Sequence, residues 1–172
     1  QLGFPLGPIQ LLDETSIELG AKIARASKAA MGRLYPNEQI DEILFWMEQE
    51  GRLGRKTRAG FFNYNEKGKR EDFWKGLEEK YPLSTTIPAF EDVQHRLMFI
   101  QALEAVRALE EGVLMDIREG DVGAILGWGF APWSGGPLSW LDILGTPYAA
   151  ERCRALCETY GPRFECLSLI HI

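Results

Sequence analysis

Apolar residues along this chain recur mostly at steps of three and four, the spacing that lines one face of an α-helix. From Asp92 the series Val93, Leu97, Ile100, Leu103, Val106, Leu109 and Val113 predicts the longest helix, over 92–114, with acids in its first turn and Gly112 near its end. Ile40, Ile43, Leu44 and Met47 predict another, with Asn37 after Pro36 as its cap and Gly51 as its stop. Asp116 followed three positions later by Glu119 has the form of a capping box for a short helix through Leu126. Thr146-Pro147 opens one more, which Gly161 closes. The alternation that marks a strand is nearly absent, and only residues 61–64, after Gly60, fit one. The expected fold class is all-α.

An internal repeat organises this series. Gly7-Pro8-Ile9-Gln10-Leu11-Leu12-Asp13 returns as Gly136-Pro137-Leu138-Ser139-Trp140-Leu141-Asp142, with four of seven positions identical. Each copy follows a Gly-Phe pair, Gly3-Phe4 and Gly129-Phe130, and each pair is followed by a proline, Pro5 directly and Pro132 after Ala131. Physically the unit is a glycine loop, a proline at the first position of a helix, apolar residues, and an aspartate at the far end. Two tandem helical modules are expected, 1–85 and 86–172, meeting in the proline-bracketed stretch from Pro82 to Pro88. The second has helices 92–114 and 119–126 ahead of its motif. The first begins two residues before its Gly-Phe pair, so it reads as truncated at its N-terminal side.

Composition narrows the function classes. A chain of 172 residues, 45% apolar and 26% charged, fits one soluble domain or two small ones. The net charge of -6, from 25 acidic and 19 basic residues, repels a polyphosphate backbone and argues against a nucleic-acid partner. No apolar run is long enough to span a membrane. Three cysteines, an odd number, suit a reducing compartment, either cytoplasm or mitochondrial matrix. The N-terminus lacks Met, a basic flank and an apolar core, so it reads as neither a signal peptide nor a natural start.

Chemistry-bearing residues are few. His95 stands one step off the apolar series of its helix and reads as a partly exposed residue; as a general base it needs a carboxylate, which Asp92 one turn earlier can supply. His171 lies at the extreme C-terminus. Cys153 and Cys157, one turn apart, could with Cys166 and His171 formally supply four zinc ligands. Their spacing matches no structural zinc pattern, and the neighbours Leu156 and Tyr160 make them core residues. The basic loop Gly51-Arg52-Leu53-Gly54-Arg55-Lys56-Thr57-Arg58-Ala59-Gly60 fails as a P-loop, because Arg55 separates Gly54 from Lys56-Thr57 and the loop follows a helix. It reads either as a solvated connector or as a grip on an isolated phosphate such as that of coenzyme A. Ser134-Gly135-Gly136-Pro137 has no lysine and opens a helix. No strand precedes a G-x-G-x-x-G, and no nucleophile elbow occurs. Catalytic, cofactor-binding and metal-binding residues are therefore expected to be absent from this chain.

Three segments together resemble the C-terminal domain of 3-hydroxyacyl-CoA dehydrogenases. They are the repeated Gly-Phe-Pro-x-Gly-Pro-x-x-Leu-x-Asp, the stretch from Gly51 to Gly60 continued by Phe61-Phe62-Asn63-Tyr64, and Glu104 with Leu109-Glu110-Glu111-Gly112-Val113. The resemblance runs from Gly3 to about Phe164, and the tandem arrangement is similar to that of multifunctional fatty-acid oxidation α subunits. Ser16 and Glu18 depart from the family, which commonly carries glycine and aspartate there. The resemblance implies tandem all-α repeats of the 6-phosphogluconate/3-hydroxyacyl-CoA dehydrogenase C-terminal-domain type. It implies an enzyme that oxidises 3-hydroxyacyl-CoA to 3-ketoacyl-CoA in fatty-acid β-oxidation, with NAD and the catalytic His-Glu pair on an upstream Rossmann domain outside this chain. The fragment alone is then expected to be inactive, and Phe4, Pro5 and Leu6 are the expected contacts for the acyl part of an acyl-CoA substrate. Further implied partners are an upstream enoyl-CoA hydratase domain, a thiolase subunit, and a second copy of the fragment. Two other readings stand beside this one: a helical packing scaffold with no ligand site, and an autonomous enzyme using His95.

Overall fold

The computed structural model describes residues 2–35 and 38–166. The Asn37 cap and His171 lie outside the described residues. Helices α1 (Pro8–Thr15), α2 (Ile17–Met31) and α3 (Glu38–Gln49) come first, and a hairpin of β1 (Phe62–Tyr64) and β2 (Arg70–Phe73) follows, then α4 (Lys75–Lys80). The rest is helical: α5 (Phe90–Glu110), α6 (Ile117–Trp128), α7 (Pro137–Leu144) and α8 (Thr146–Tyr160). The helical reading of the sequence holds. The antiparallel hairpin adds β2, whose sequence Arg70-Glu71-Asp72-Phe73 is exposed throughout and carries no apolar alternation to reveal it.

The helix ends have local causes. Proline opens α1 and α7, where its missing N–H is no loss. Asp116 caps α6 by accepting the Arg118 amide, and Glu119 reaches back to the Met115 amide, one residue earlier than a regular capping box. The long helix α5 stops at Glu110, four residues short of the expected 114, because the chain turns left-handed at Gly112 with φ 70°.

Two compact units divide the chain. One is Leu6–Thr85; the other joins residues 2–5 to 86–166 among the described residues. In the first, Ile17 and Ala21 of α2, Leu44 and Met47 of α3, Phe61 and Leu77 form the core. The second has a core of Met98, Phe99 and Leu103 from α5, Phe130, Trp140 and Leu141 from α7 and its approach, and Cys153 and Leu156 from α8.

Each unit contains the same local sequence of elements. An eight-residue helix opening at proline is joined by a single residue to a fifteen-residue helix, followed by a 3-10 turn. The joining residues adopt one conformation: Ser16 at φ 85°, ψ 123° and Gly145 at φ 82°, ψ 132°. No helix among the described residues is long and apolar enough to cross a membrane.

Candidate functional site

The Gly51–Gly60 loop folds around a carboxylate. Asp13, at the far end of α1, is buried, and its oxygens accept the Phe61 amide at 2.8 Å, the Phe62 amide at 3.0 Å and the Tyr64 hydroxyl at 2.9 Å. The two glycines of the loop make the space that this needs. A Cβ on Gly60 would overlap the Asp13 carboxylate, and one on Gly54, at φ 103°, would overlap the Asp13 carbonyl. Burial and the adjacent Asp13 charge together push the Tyr64 phenol well above its ordinary range, so it stays a donor.

Arg52 closes the same loop from the other side. Its guanidinium donates to the Gly60 carbonyl at 2.8 Å, the Phe62 carbonyl at 3.2 Å and the Asn63 side chain at 2.8 Å, and lies 4.2 Å over the Trp74 ring. Trp74 in turn stacks on Trp46 of α3 at 5.0 Å. The planar fork of arginine fits three acceptors and an aromatic face together, which an ammonium cannot.

Two more cations of the loop face acids of α1 and α2. Arg55 pairs with Glu14 at 3.0 Å, and Lys56 pairs with Glu18. A carboxylate fills the place where a phosphate-binding loop would admit its anion, and two of the cations are neutralised. The residues present therefore do not fit the pyrophosphate of a dinucleotide such as NAD. The loop is an internal clamp between α1 and the β1 hairpin.

A second buried aspartate does corresponding work in the other unit. Asp121 of α6 accepts the Leu138 amide at 2.8 Å and the Ser139 amide and hydroxyl at 3.1 and 2.6 Å, which satisfies the open N-terminus of α7. A Cβ on Gly136 would overlap it. The repeat pairs Asp13 with Asp142, yet Asp142 is exposed and Asp13 is not. Neither clamp is legible from one motif, since the donors to Asp13 lie some fifty residues further along. The signal that existed was the Gly-Phe-Phe-x-Tyr stretch, where two backbone amides and a phenol converge.

The expected acyl contacts separate. Phe4 is half-buried with its ring edge-on to Phe130 at 5.8 Å, and Pro5 is exposed on one side and packs over Gly129, where a Cβ would strike it. Trp133 donates its indole N–H to the Leu2 carbonyl at 2.8 Å. The first Gly-Phe-Pro therefore rests on the second Gly-Phe. Leu6 is exposed and begins the other unit.

His95 departs from its expected environment. It is buried, with Phe99, Trp140 and Tyr148 around its ring at centroid distances of 5.7, 6.5 and 6.3 Å. Burial arises because α7 and α8 fold over a position one step off the apolar seam of α5. Asp92 is not its partner. Asp92 pairs with Arg152 and accepts the Tyr160 hydroxyl at 3.1 Å, while Arg152 donates its Nε–H to His95 Nδ1 at 2.8 Å. A base held against a guanidinium is weakened, the reverse of the activation by a carboxylate that general-base catalysis needs. Of the cysteines, Cys153 is fully buried and burial pushes its thiol up to about 12, whereas Cys157 and Cys166 are half-buried against the same core.

Comparison with known proteins places these motifs. Residues 1–64 match the family model described as 3-hydroxyacyl-CoA dehydrogenase, C-terminal domain. The chain is 36% identical over 163 residues to the fatty acid oxidation complex subunit alpha of Vibrio vulnificus and 35% identical over 163 residues to that of Vibrio parahaemolyticus. Each alignment covers 94% of this chain and 22% of the relative, so the chain spans about a fifth of the length of the proteins it matches. The Asp13 clamp lies wholly within the matched residues, so the part of the chain that is similar to the 3-hydroxyacyl-CoA dehydrogenase C-terminal domain, residues 1–64, is the part that this carboxylate holds together.

Proposed function

We propose that this chain is the helical C-terminal region of an NAD-dependent 3-hydroxyacyl-CoA dehydrogenase of the fatty-acid oxidation α-subunit type. It supplies a wall for the acyl-CoA, while oxidation to 3-ketoacyl-CoA takes place on another domain of the longer protein. The observation that carries this reading is the Asp13 clamp. It ties the Gly-Pro-x-x-Leu-x-Asp motif to the Gly51–Gly60 loop and the following Phe-Phe-x-Tyr, two segments on which the family likeness rests.

Within this reading the chain holds two copies of one module, 1–85 and 86–172. Support comes from the equal helix lengths of α1–α2 and α7–α8 and the shared torsions of Ser16 and Gly145. The second copy stands in for a partner subunit and carries no chemistry. Phe4, Pro5 and Leu6 are the proposed acyl contacts. NAD, the catalytic pair and any hydratase domain belong to the longer protein, which works in the bacterial cytoplasm or mitochondrial matrix and associates with a thiolase subunit.

Calorimetric titration of the purified chain with acetoacetyl-CoA, and in parallel with NADH, tests this. The expected result is weak binding of the CoA ester and none of NADH. Binding of NADH contradicts the placement of the cofactor elsewhere. Silence toward both favours the scaffold reading, for which the exposed apolar residues Ile9, Leu11, Leu19 and Ile23 of α1 and α2 already argue.

A further inference from the structure

We propose that His95 is an acid-sensitive latch between α5 and α8: as neutral imidazole it accepts the Arg152 Nε–H, and a proton taken up at Nδ1 removes that acceptor and sets imidazolium against guanidinium. The geometry leaves one productive state. With Arg152 donating to Nδ1 at 2.8 Å, the ring must be neutral, with its own proton on Nε2. Arg152 cannot give up its proton, so the contact has no alternative in which the two nitrogens exchange donor and acceptor roles.

The surroundings hold both partners in place. Asp92, also on α5, pairs with Arg152 and takes the Tyr160 hydroxyl of α8 at 3.1 Å, and the Arg96 guanidinium lies 4.1 Å over the Tyr160 ring. Arg152 is thus fixed by Asp92 on one side and reads the protonation state of His95 on the other. Among the described residues, the charged groups that act on the ring are Glu91 and Asp92 on α5 and Arg152 on α8; Tyr148 of α8 faces it edge-on, and Trp140 of α7 adds an aromatic wall. Burial and the Arg152 charge hold the His95 pKa below its ordinary 6.5, against a smaller opposing pull from Glu91 and Asp92.

The sign follows from linkage. Because the folded chain holds this proton less tightly than the unfolded chain, stability is full above about pH 6.5 and falls as the pH drops toward the folded pKa. The folding constant should decline by up to about tenfold per pH unit in that window, equivalent to about 1.4 kcal/mol.

Two measurements test the latch. In the unsubstituted chain, the His95 ring resonances should titrate with a midpoint below 6.5, and amides of α8 around Arg152 should shift with the same midpoint. In His95→Asn, where the amide oxygen can replace Nδ1 as acceptor without titrating, the decline between pH 7 and 5 in denaturant unfolding should vanish. A midpoint at or above 6.5, α8 amides that do not follow the ring, or an unchanged decline in His95→Asn would each overturn the proposal. The resonance titration needs no substitution, so it decides the matter even where the variant does not fold.

Discussion

Asp13 and Gly60 are mutually exclusive in side-chain volume: a Cβ on Gly60 would overlap the very carboxylate that takes the neighbouring Phe61 and Phe62 amides. The glycine is required because an anion stands there, not because the backbone turns. Asp13→Ala strands two amides and a phenol, and the expected loss is about 3 to 5 kcal/mol in denaturant unfolding of Leu6–Thr85. Gly60→Ala should destabilise by about 2 to 3 kcal/mol through overpacking. In the Asp13→Ala background, Gly60→Ala should cost well under about 1 kcal/mol, because nothing remains to collide with. Additive losses in that double variant would show that the glycine answers to something other than the aspartate.

Ser16 adopts a backbone conformation that suits glycine, and its hydroxyl is buried without a hydrogen-bond partner among the described residues. Gly145 holds the same torsions without either penalty. Ser16→Gly should therefore stabilise the chain by about 1 to 3 kcal/mol, after allowing for the looser unfolded state of glycine. Gly145→Ser should do the reverse. Equilibrium unfolding in urea measures both, and a destabilised Ser16→Gly would contradict the strain assigned here.

The contrast between these two joining residues also shows how far the sequence could be read. Helices α3, α5, α6 and α8 were legible because apolar spacing and caps are local signals. The hairpin was half visible, since β1 carries two aromatics in three residues whereas β2 runs through three charged residues before Phe73. His95 looked partly exposed because its helix alone leaves it off the seam, and its enclosure is completed by Trp140 and Tyr148, far along the chain. Asp92 was the nearest carboxylate in sequence, but Arg152 stands nearer in space to both residues. Asp13 was visible as a repeated letter and not as a buried charge, because burial depends on which donors reach it.

Cysteine reactivity should divide by burial. Cys153 is buried with its thiol raised to about 12, so thiolate is scarce at neutral pH, whereas Cys157 and Cys166 are half-buried. Iodoacetamide at pH 7.5 should modify Cys153 of the native chain at less than about a hundredth of its rate in denaturant. Peptide mapping after timed labelling reads this directly. Prompt alkylation of Cys153 in the folded chain would mean that α8 opens readily.

A second loss of stability is expected in stronger acid, separate from that assigned to His95. Hydrogen bonds from Lys22 and Lys56 hold Glu18 at about 2 instead of 4.5, and the Arg118 side chain and amide hold Asp116 at about 2 instead of 3.8. These carboxylates bind protons less readily when folded, so their contribution is present above about 4.5 and is lost as the pH falls toward 2. Both lie at the surface, so 1 M NaCl should shrink this acid limb. Urea unfolding between pH 6 and 2 at low and high salt checks it, and a limb indifferent to salt would point to buried groups instead.

The seating of Phe4 and Pro5 on Phe130 and Gly129 makes Leu6–Thr85 an inserted unit: the chain departs from one body at residue 5 and comes back to it at 86. Both of its ends are thus tethered, as in a domain grafted into a host loop. A protein trimmed to begin at Thr86 would lose the ring that packs on Phe130 and the Leu2 carbonyl that receives the Trp133 indole. The first few residues act as a strap, and the proper dissection of this chain keeps them with the C-terminal body while excising what lies between.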